Sequence, residues 1–204
     1  GTFFTNQTWL IKNHLTSFFS SAMFSIFSSF LLFTSSPQFS ILHFSILDYF
    51  SPPQQMVQSA LAALGVTVDS IHQFDNPSLA VTEAQAIVIG GGNTFHLLQQ
   101  LYQHQLIELI REKIMAGIPY IGWSAGSNVA GQSIRTTNDM PIIEPPSFNA
   151  LELLPFQLNP HYTDFKPAGF HGETRDMRLN EFMLLNPTTP IVGLPEGSAL
   201  RRSG

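Results

Sequence analysis

From Pro52-Pro53 onward the chain alternates short continuous apolar runs with longer stretches in which apolar residues recur every three or four positions. Met56, Val57, Ala60, Leu61 and Leu64, stopped at Gly65, predict a first helix. Val66-Thr67-Val68 with Ile71 predicts a short strand, and residues 78–85 a brief helix. Ala86-Ile87-Val88-Ile89 is apolar at every position, the pattern of a strand covered on both faces. After Gly90-Gly91-Gly92-Asn93-Thr94, the spacing of Phe95, Leu97, Leu98 and Leu101 predicts a helix, and residues 105–116 a further one ended by Gly117. Ile118–Ile121 predicts the next strand, Phe156–Tyr162 a later one with His161 at its end, and Pro190–Leu194 a last strand. Between those two strands, Gly172-Glu173-Thr174-Arg175-Asp176 opens a helix with Thr174 as its cap. Strands alternating with helices indicate an α/β protein with a parallel, doubly wound sheet.

Residues 1–50 break this pattern. They hold 11 of the 18 Phe, ten Ser and two charged groups, Lys12 and Asp48. Nothing from Leu15 to Thr34 ionises, and about 20 such residues suffice to cross a bilayer. A membrane anchor or long signal segment is therefore one reading of this stretch. Its frequent Ser and Thr, the lack of a clear small-residue cleavage site and a single preceding Lys argue against it. The chain starts at Gly rather than Met, which suits a fragment, a fusion or a segment read out of frame. The expected division is an atypical segment 1–50 and an α/β catalytic domain 51–204 that stops short at its C-terminal end.

Composition narrows the chemistry. A chain of 204 residues suits one domain with a full core. Its net charge of −5, without a basic stripe, disfavours nucleic acid as a partner. No cysteine is present, so disulfides, thiolate catalysis and cysteine-ligated zinc are excluded.

One turn then stands out. Gly122-Trp123-Ser124-Ala125-Gly126 follows an apolar strand and precedes a helix start. A G-x-S-x-G turn in that context lifts the serine above a sheet, with glycines removing side chains that would clash. The N–H of Ala125, at a helix N-terminus, would face the oxygen of an attacked carbonyl. The glycine triplet matches neither a dinucleotide fingerprint nor a phosphate loop, but offers unobstructed N–H groups to the same oxygen. A serine nucleophile needs a base and an acid that orients it. His161, past a strand end, supplies the base, and Asp139 or Glu196 the acid. His14, His43, His72, His96, His104 and His171 have no comparable setting. The order Ser, Asp, His fits an α/β-hydrolase, but 37 positions from Ser124 to His161 are few for that fold, and another serine-hydrolase architecture fits better.

Six stretches carry a resemblance that covers residues 56–201 in unbroken order. They are Gly90–Phe95, Tyr120–Asn128, Thr136–Ile142, Asn159–Tyr162, Gly172–Arg175 and Gly193–Gly197, and together they resemble peptidase E, a family of α-aspartyl dipeptidases related to cyanophycinase. The resemblance implies a glutaminase-like (class I amidotransferase-like) α/β/α sandwich, a cytoplasmic location, no cofactor or metal, and hydrolysis of dipeptides that begin with aspartate. Ser124 then corresponds to the nucleophile and His161 to the general base. Glu196 matches the glutamate of a Ser-His-Glu arrangement, and Asp139 an aspartate also assigned as the relay. Gly92 and Ala125 match the oxyanion positions. Arg175 is the expected partner of the aspartyl carboxylate, chiefly because a guanidinium binds carboxylate bidentately. Phe30–Ser36 is a loose echo of the family's first strand and loop, and Phe170 and Met177 stand where relatives are usually polar. The alternatives are a cyanophycinase-like hydrolase of β-aspartyl links, and an inactive or membrane-tethered binding remnant of the same scaffold. The sequence does not fix an oligomeric state.

Overall fold

The computed structural model describes residues 57–59, 62, 66–169 and 171–202, together with the backbone of two earlier strands, Leu10–Asn13 (β1) and Phe39–Phe44 (β2). The apolar stretch 15–34, the Phe30–Ser36 echo and most of the predicted 56–64 helix lie outside these residues; 57–59 and 62 are helical. Among the described residues, no helix is long and apolar enough to cross a membrane.

The architecture is mixed α/β with parallel strands. β2, β3 (Val66–Ser70), β4 (Ala86–Ile89) and β5 (Tyr120–Gly122) form one sheet in the order β3-β2-β4-β5, parallel throughout. β6 (Gln157–Pro160) and β7 (Ile191–Leu194) form a second parallel pair. β8 (Ser198–Arg201), a strand the apolar pattern does not announce, pairs antiparallel with β1. The sheets thus cross the composition boundary at residue 50: β2, from the Phe/Ser-rich segment, lies between β3 and β4.

Apolar periodicity explains the helices. In α2 (Thr94–Gln103), Leu97, Leu98 and Leu101 are buried at i, i+1 and i+4, and in α3 (Leu106–Met115) Leu106, Ile107 and Ile110 follow the same stripe. These pack on β4, whose four residues are all buried, and on Val81 of α1 (Pro77–Glu83), Ile134 and Leu151. Each such Leu or Ile contributes about 1.5–3 kcal/mol when fully buried. Ile71 does not extend β3. It turns inward in a 3₁₀ turn, Ile71–Gln73, and is still buried.

The parallel strands occupy two sheets instead of one. β5 stops after three residues because its end is the sharp turn into α4 (Ala125–Ala130). Residues 151–153 then run along the end of α4, through Leu151 N–H to Val129 O and Leu153 N–H to Ala130 O, before β6 begins. The polar stretch 134–143 contains no strand, and just before it Ser133 bridges to Asn149.

Candidate active site

The turn after β5 has the strain its glycines foretell. Ser124 sits at φ 53°, ψ −117°, a conformation that costs a non-glycine residue on the order of 1–3 kcal/mol. A Cβ on Gly122 would lie 2.5 Å from Gly126 O, and one on Gly126 only 2.0 Å from Ile89 O. The turn therefore presses directly on the end of β4. Gly126 N–H bonds to Gly90 O (3.0 Å) and Asn128 N–H to Ser124 O (3.1 Å). The Tyr120 phenol donates to Gly126 O (2.6 Å). Desolvation by burial raises the Tyr120 pKa well above its ordinary value, so the group stays a neutral donor.

Pairing of β4 with β5, in the register Ile89 to Gly122, brings the glycine loop beside the serine. A Cβ on Gly91 would be 3.3 Å from Ser124 Cβ, so nothing larger than hydrogen fits there without displacement. Gly92 adopts φ 129°, open to glycine. Ala125, fully buried, is the first residue of α4.

The second parallel pair delivers the other two groups. Asn159 pairs with Gly193 and Pro160 with Leu194, so the residues just past β6 and β7 emerge at the same edge. His161 Nε2 lies 2.9 Å from Ser124 Oγ, and His161 Nδ1 is hydrogen-bonded to Glu196 Oε1. The side chains of His161 and Glu196 are 51% and 67% exposed, so the pair adds little to stability and remains open to a small molecule.

Asp139 goes elsewhere. Its Oδ2 accepts from Thr94 N–H (2.7 Å) and Thr94 Oγ1 (2.5 Å), at the start of α2, where helix N–H groups favour negative charge. Of the two acids the sequence leaves open, the geometry sets Glu196 on the imidazole and Asp139 on a helix terminus.

Arg175 begins α5 (Arg175–Leu185), capped by Thr174 Oγ1 accepting from Met177 N–H (3.2 Å). It lines a cavity of about 190 Å³ with Asn138, Asp139, Asn159 and Arg178. Desolvation, and then the neighbouring Arg178, lower its pKa. No carboxylate among the described residues forms an ion pair with it. Also among them, no group of three or more His, Asp or Glu side chains is arranged to hold a metal ion.

The sequence assigns no role to Thr94, Asn128 and Thr137, which share hydrogen bonds, or to Asn138, which donates to Pro160 O. Their signal was short polar residues at helix starts and in one loop of a chain only 11% charged.

Known proteins are similar to this chain in sequence and in fold. The model of peptidase family S51 matches residues 51–204. Peptidase E of Shewanella denitrificans (strain OS217) is 59% identical over 149 residues, 73% of this chain and 63% of its own. Peptidase E of Shewanella baltica (strain OS185) is 61% identical over 148 residues, 72% of this chain and 62% of its own. The chain thus spans a little under two-thirds of the length of these curated relatives. A solved peptidase from an acI-B1 Actinobacterium has the same fold, with a TM-score of 0.59 at 20% identity, over 88% of this chain and 76% of that one.

Proposed function

The chain belongs to peptidase family S51, and from that premise we propose that it is a serine dipeptidase that hydrolyses dipeptides beginning with aspartate. The observation that carries the reading is the unbroken series Ser124 Oγ, His161 Nε2, His161 Nδ1, Glu196 Oε1. In this mechanism Ser124 Oγ attacks the scissile carbonyl while His161 Nε2 takes its proton. Glu196 holds the Nδ1–H tautomer and offsets the charge of the imidazolium. The N–H groups of Gly92 and Ala125 receive the oxyanion, a contribution on the order of 10²–10³ in kcat per donor. His161 then gives its proton to the leaving amine, and water, activated by the same imidazole, releases aspartate from the acyl-enzyme.

Arg175 is the proposed partner of the aspartyl side-chain carboxylate, supported by its place on the wall of that cavity with no ion-pair partner among the described residues. The reading also takes the fold as a class I amidotransferase-like α/β/α sandwich. Its catalytic domain comprises residues 51–204, to whose sheets the strands of residues 1–50 add. The reaction is placed in the cytoplasm and draws on the chain's own side chains and backbone N–H groups.

Ser124→Ala should abolish Asp-Leu hydrolysis while leaving the unfolding midpoint near that of the parent, and a fluorophosphonate should label Ser124 and nothing else. Wild-type turnover by Ser124→Ala would end the proposal. Turnover of β-aspartyl but not α-aspartyl dipeptides would move the substrate to the cyanophycinase type.

A further inference from the structure

Six polar side chains have no chemical step in that mechanism: Thr94, Asn128 and Thr137, and, on the wall of the Arg175 cavity, Asn138, Asp139 and Asn159. We infer that the loop Thr136–Met140 is a clamp that sets the spacing between the histidine and the glycine loop, with Asn138 and Asp139 as positioning residues. The inference rests on the serine-peptidase reading of the same site.

One arm of the clamp grips the strand that carries His161. Asn138 Nδ2 donates to Pro160 O (2.8 Å), and Thr136 Oγ1 to Leu158 O (2.9 Å). Asn159 Nδ2 donates back to Thr136 O (2.7 Å) and Asn138 Oδ1 (2.8 Å). The carbonyl that Asn138 holds belongs to the peptide directly before His161, whose own φ is 56°. A residue in that left-handed conformation aims its side chain as the preceding peptide plane dictates, and Asn138 holds that plane by its carbonyl.

The other arm grips the glycine loop. Asp139 Oδ2 takes both Thr94 donors, and Asn93 Nδ2 donates to Met140 O (2.8 Å). Gly90, Gly91 and Gly92 have no side chains to hold their own conformation, so the order of their N–H groups is borrowed from Asn93 and Thr94. Thr94, fully buried, is where the parts converge. Its Oγ1 also accepts from Thr137 Oγ1 (3.0 Å) and from Asn128 Nδ2 (3.3 Å), and Asn128 lies on the helix that follows Ser124. Of these bonds, those of Thr136, of Asn159 to Thr136 O and of Asn128 are buried and costly to leave unmade, and the others are part-buried or exposed.

A single oxygen of Asp139 accepts both bonds, so an amide oxygen can replace it. The imidazole's acid partner has no such latitude, because an amide there can stabilise the wrong tautomer. Asp139→Asn, Asp139→Ala, Asn138→Ala and Glu196→Gln in the full chain separate these roles. Asp139→Asn should lower kcat on Asp-Leu less than about tenfold, whereas Glu196→Gln should lower it about 10³–10⁴-fold. Asp139→Ala and Asn138→Ala should each lower kcat, and the rate of fluorophosphonate labelling, by up to about 10²-fold with KM within about threefold. If Asp139→Ala does not fold, Asp139→Asn still decides the question. A loss in Asp139→Asn equal to that in Glu196→Gln would overturn the clamp, as would wild-type kcat in Asn138→Ala or a change confined to KM. If Ser124 of the wild-type chain took no label, the peptidase reading would fall and the clamp with it; a labelled wild type with a dead Asp139→Asn would remove the clamp alone.

Discussion

Gly126→Ala is the perturbation whose consequence can be worked most directly from the structure. The added Cβ would sit 2.0 Å from Ile89 O, 2.7 Å from Ile89 C and 3.2 Å from Gly90 O. Real Cβ contacts stop near 3.0 Å, so the methyl must retreat by about 1 Å in an interior packed without slack. All three obstacles are backbone atoms at the end of β4, a buried strand paired with β2 on one side and β5 on the other. Because β4 cannot yield, α4 must lift, lengthening the Gly126 N–H bond to Gly90 O. Overpacking that side chains can absorb costs about 1–3 kcal/mol, and a clash with a paired backbone belongs at or above the top of that range. We expect a loss of about 3 kcal/mol or more, a large share of the 5–15 kcal/mol typical of a domain. Gly169→Ala is the control: it has open space around it but φ 77°, so only backbone strain of about 1–2 kcal/mol applies. Urea unfolding followed by circular dichroism gives both values, provided the slopes agree. The same lift displaces Ser124 and the Ala125 N–H, so the folded fraction should lose about 10²-fold in kcat. If Gly126→Ala were no less stable than Gly169→Ala, the close approach of turn and strand would not be what demands glycine.

Two further outcomes follow from single side chains. The raised Tyr120 pKa means that above about pH 10 the unfolded chain loses a proton that the folded chain keeps, so stability should fall as pH rises beyond the ordinary tyrosine range. Tyr120→Phe should flatten that alkaline slope and cost about 1–2 kcal/mol at neutral pH through the lost bond to Gly126 O; an unchanged slope would refute the assignment, since the half-buried Tyr162, raised chiefly by its hydrogen bond to Asp176, is still present in the variant. Arg175→Met should raise KM for Asp-Leu about 10- to 100-fold, the worth of a charge-assisted pair, while leaving Asn-Leu hydrolysis nearly as it was. An Asp-over-Asn preference untouched by the change would exclude Arg175 from the carboxylate site.

Much of this protein is legible in the chain because the relevant physics is local. Continuous apolar runs become β4 and β7, i, i+3, i+4 stripes become α2 and α3, and a serine between glycines after a strand becomes a strained turn. Each depends on residues within about one helical turn of one another. Other properties depend on which distant segments meet. Asp139 and Glu196 were equivalent in sequence, both acids near a strand end or loop. The parallel register of Asn159 with Gly193 sets Glu196 beside His161, and the folding of 134–143 onto the start of α2 takes Asp139 to Thr94. No periodicity announced the convergence of Thr94, Asn128 and Thr137, because hydrogen bonds across 34 and 43 positions leave no local trace. Composition set residues 1–50 apart, yet Phe39–Phe44 lies between β3 and β4, since a strand's place in a sheet follows from backbone pairing that any extended segment can offer. The sequence by itself determined the elements and the nucleophilic turn. The tertiary structure alone decided which acid reaches the imidazole and what holds the turn, the histidine and the glycine loop together, because register and long-range packing belong to the folded chain and not to any stretch of it.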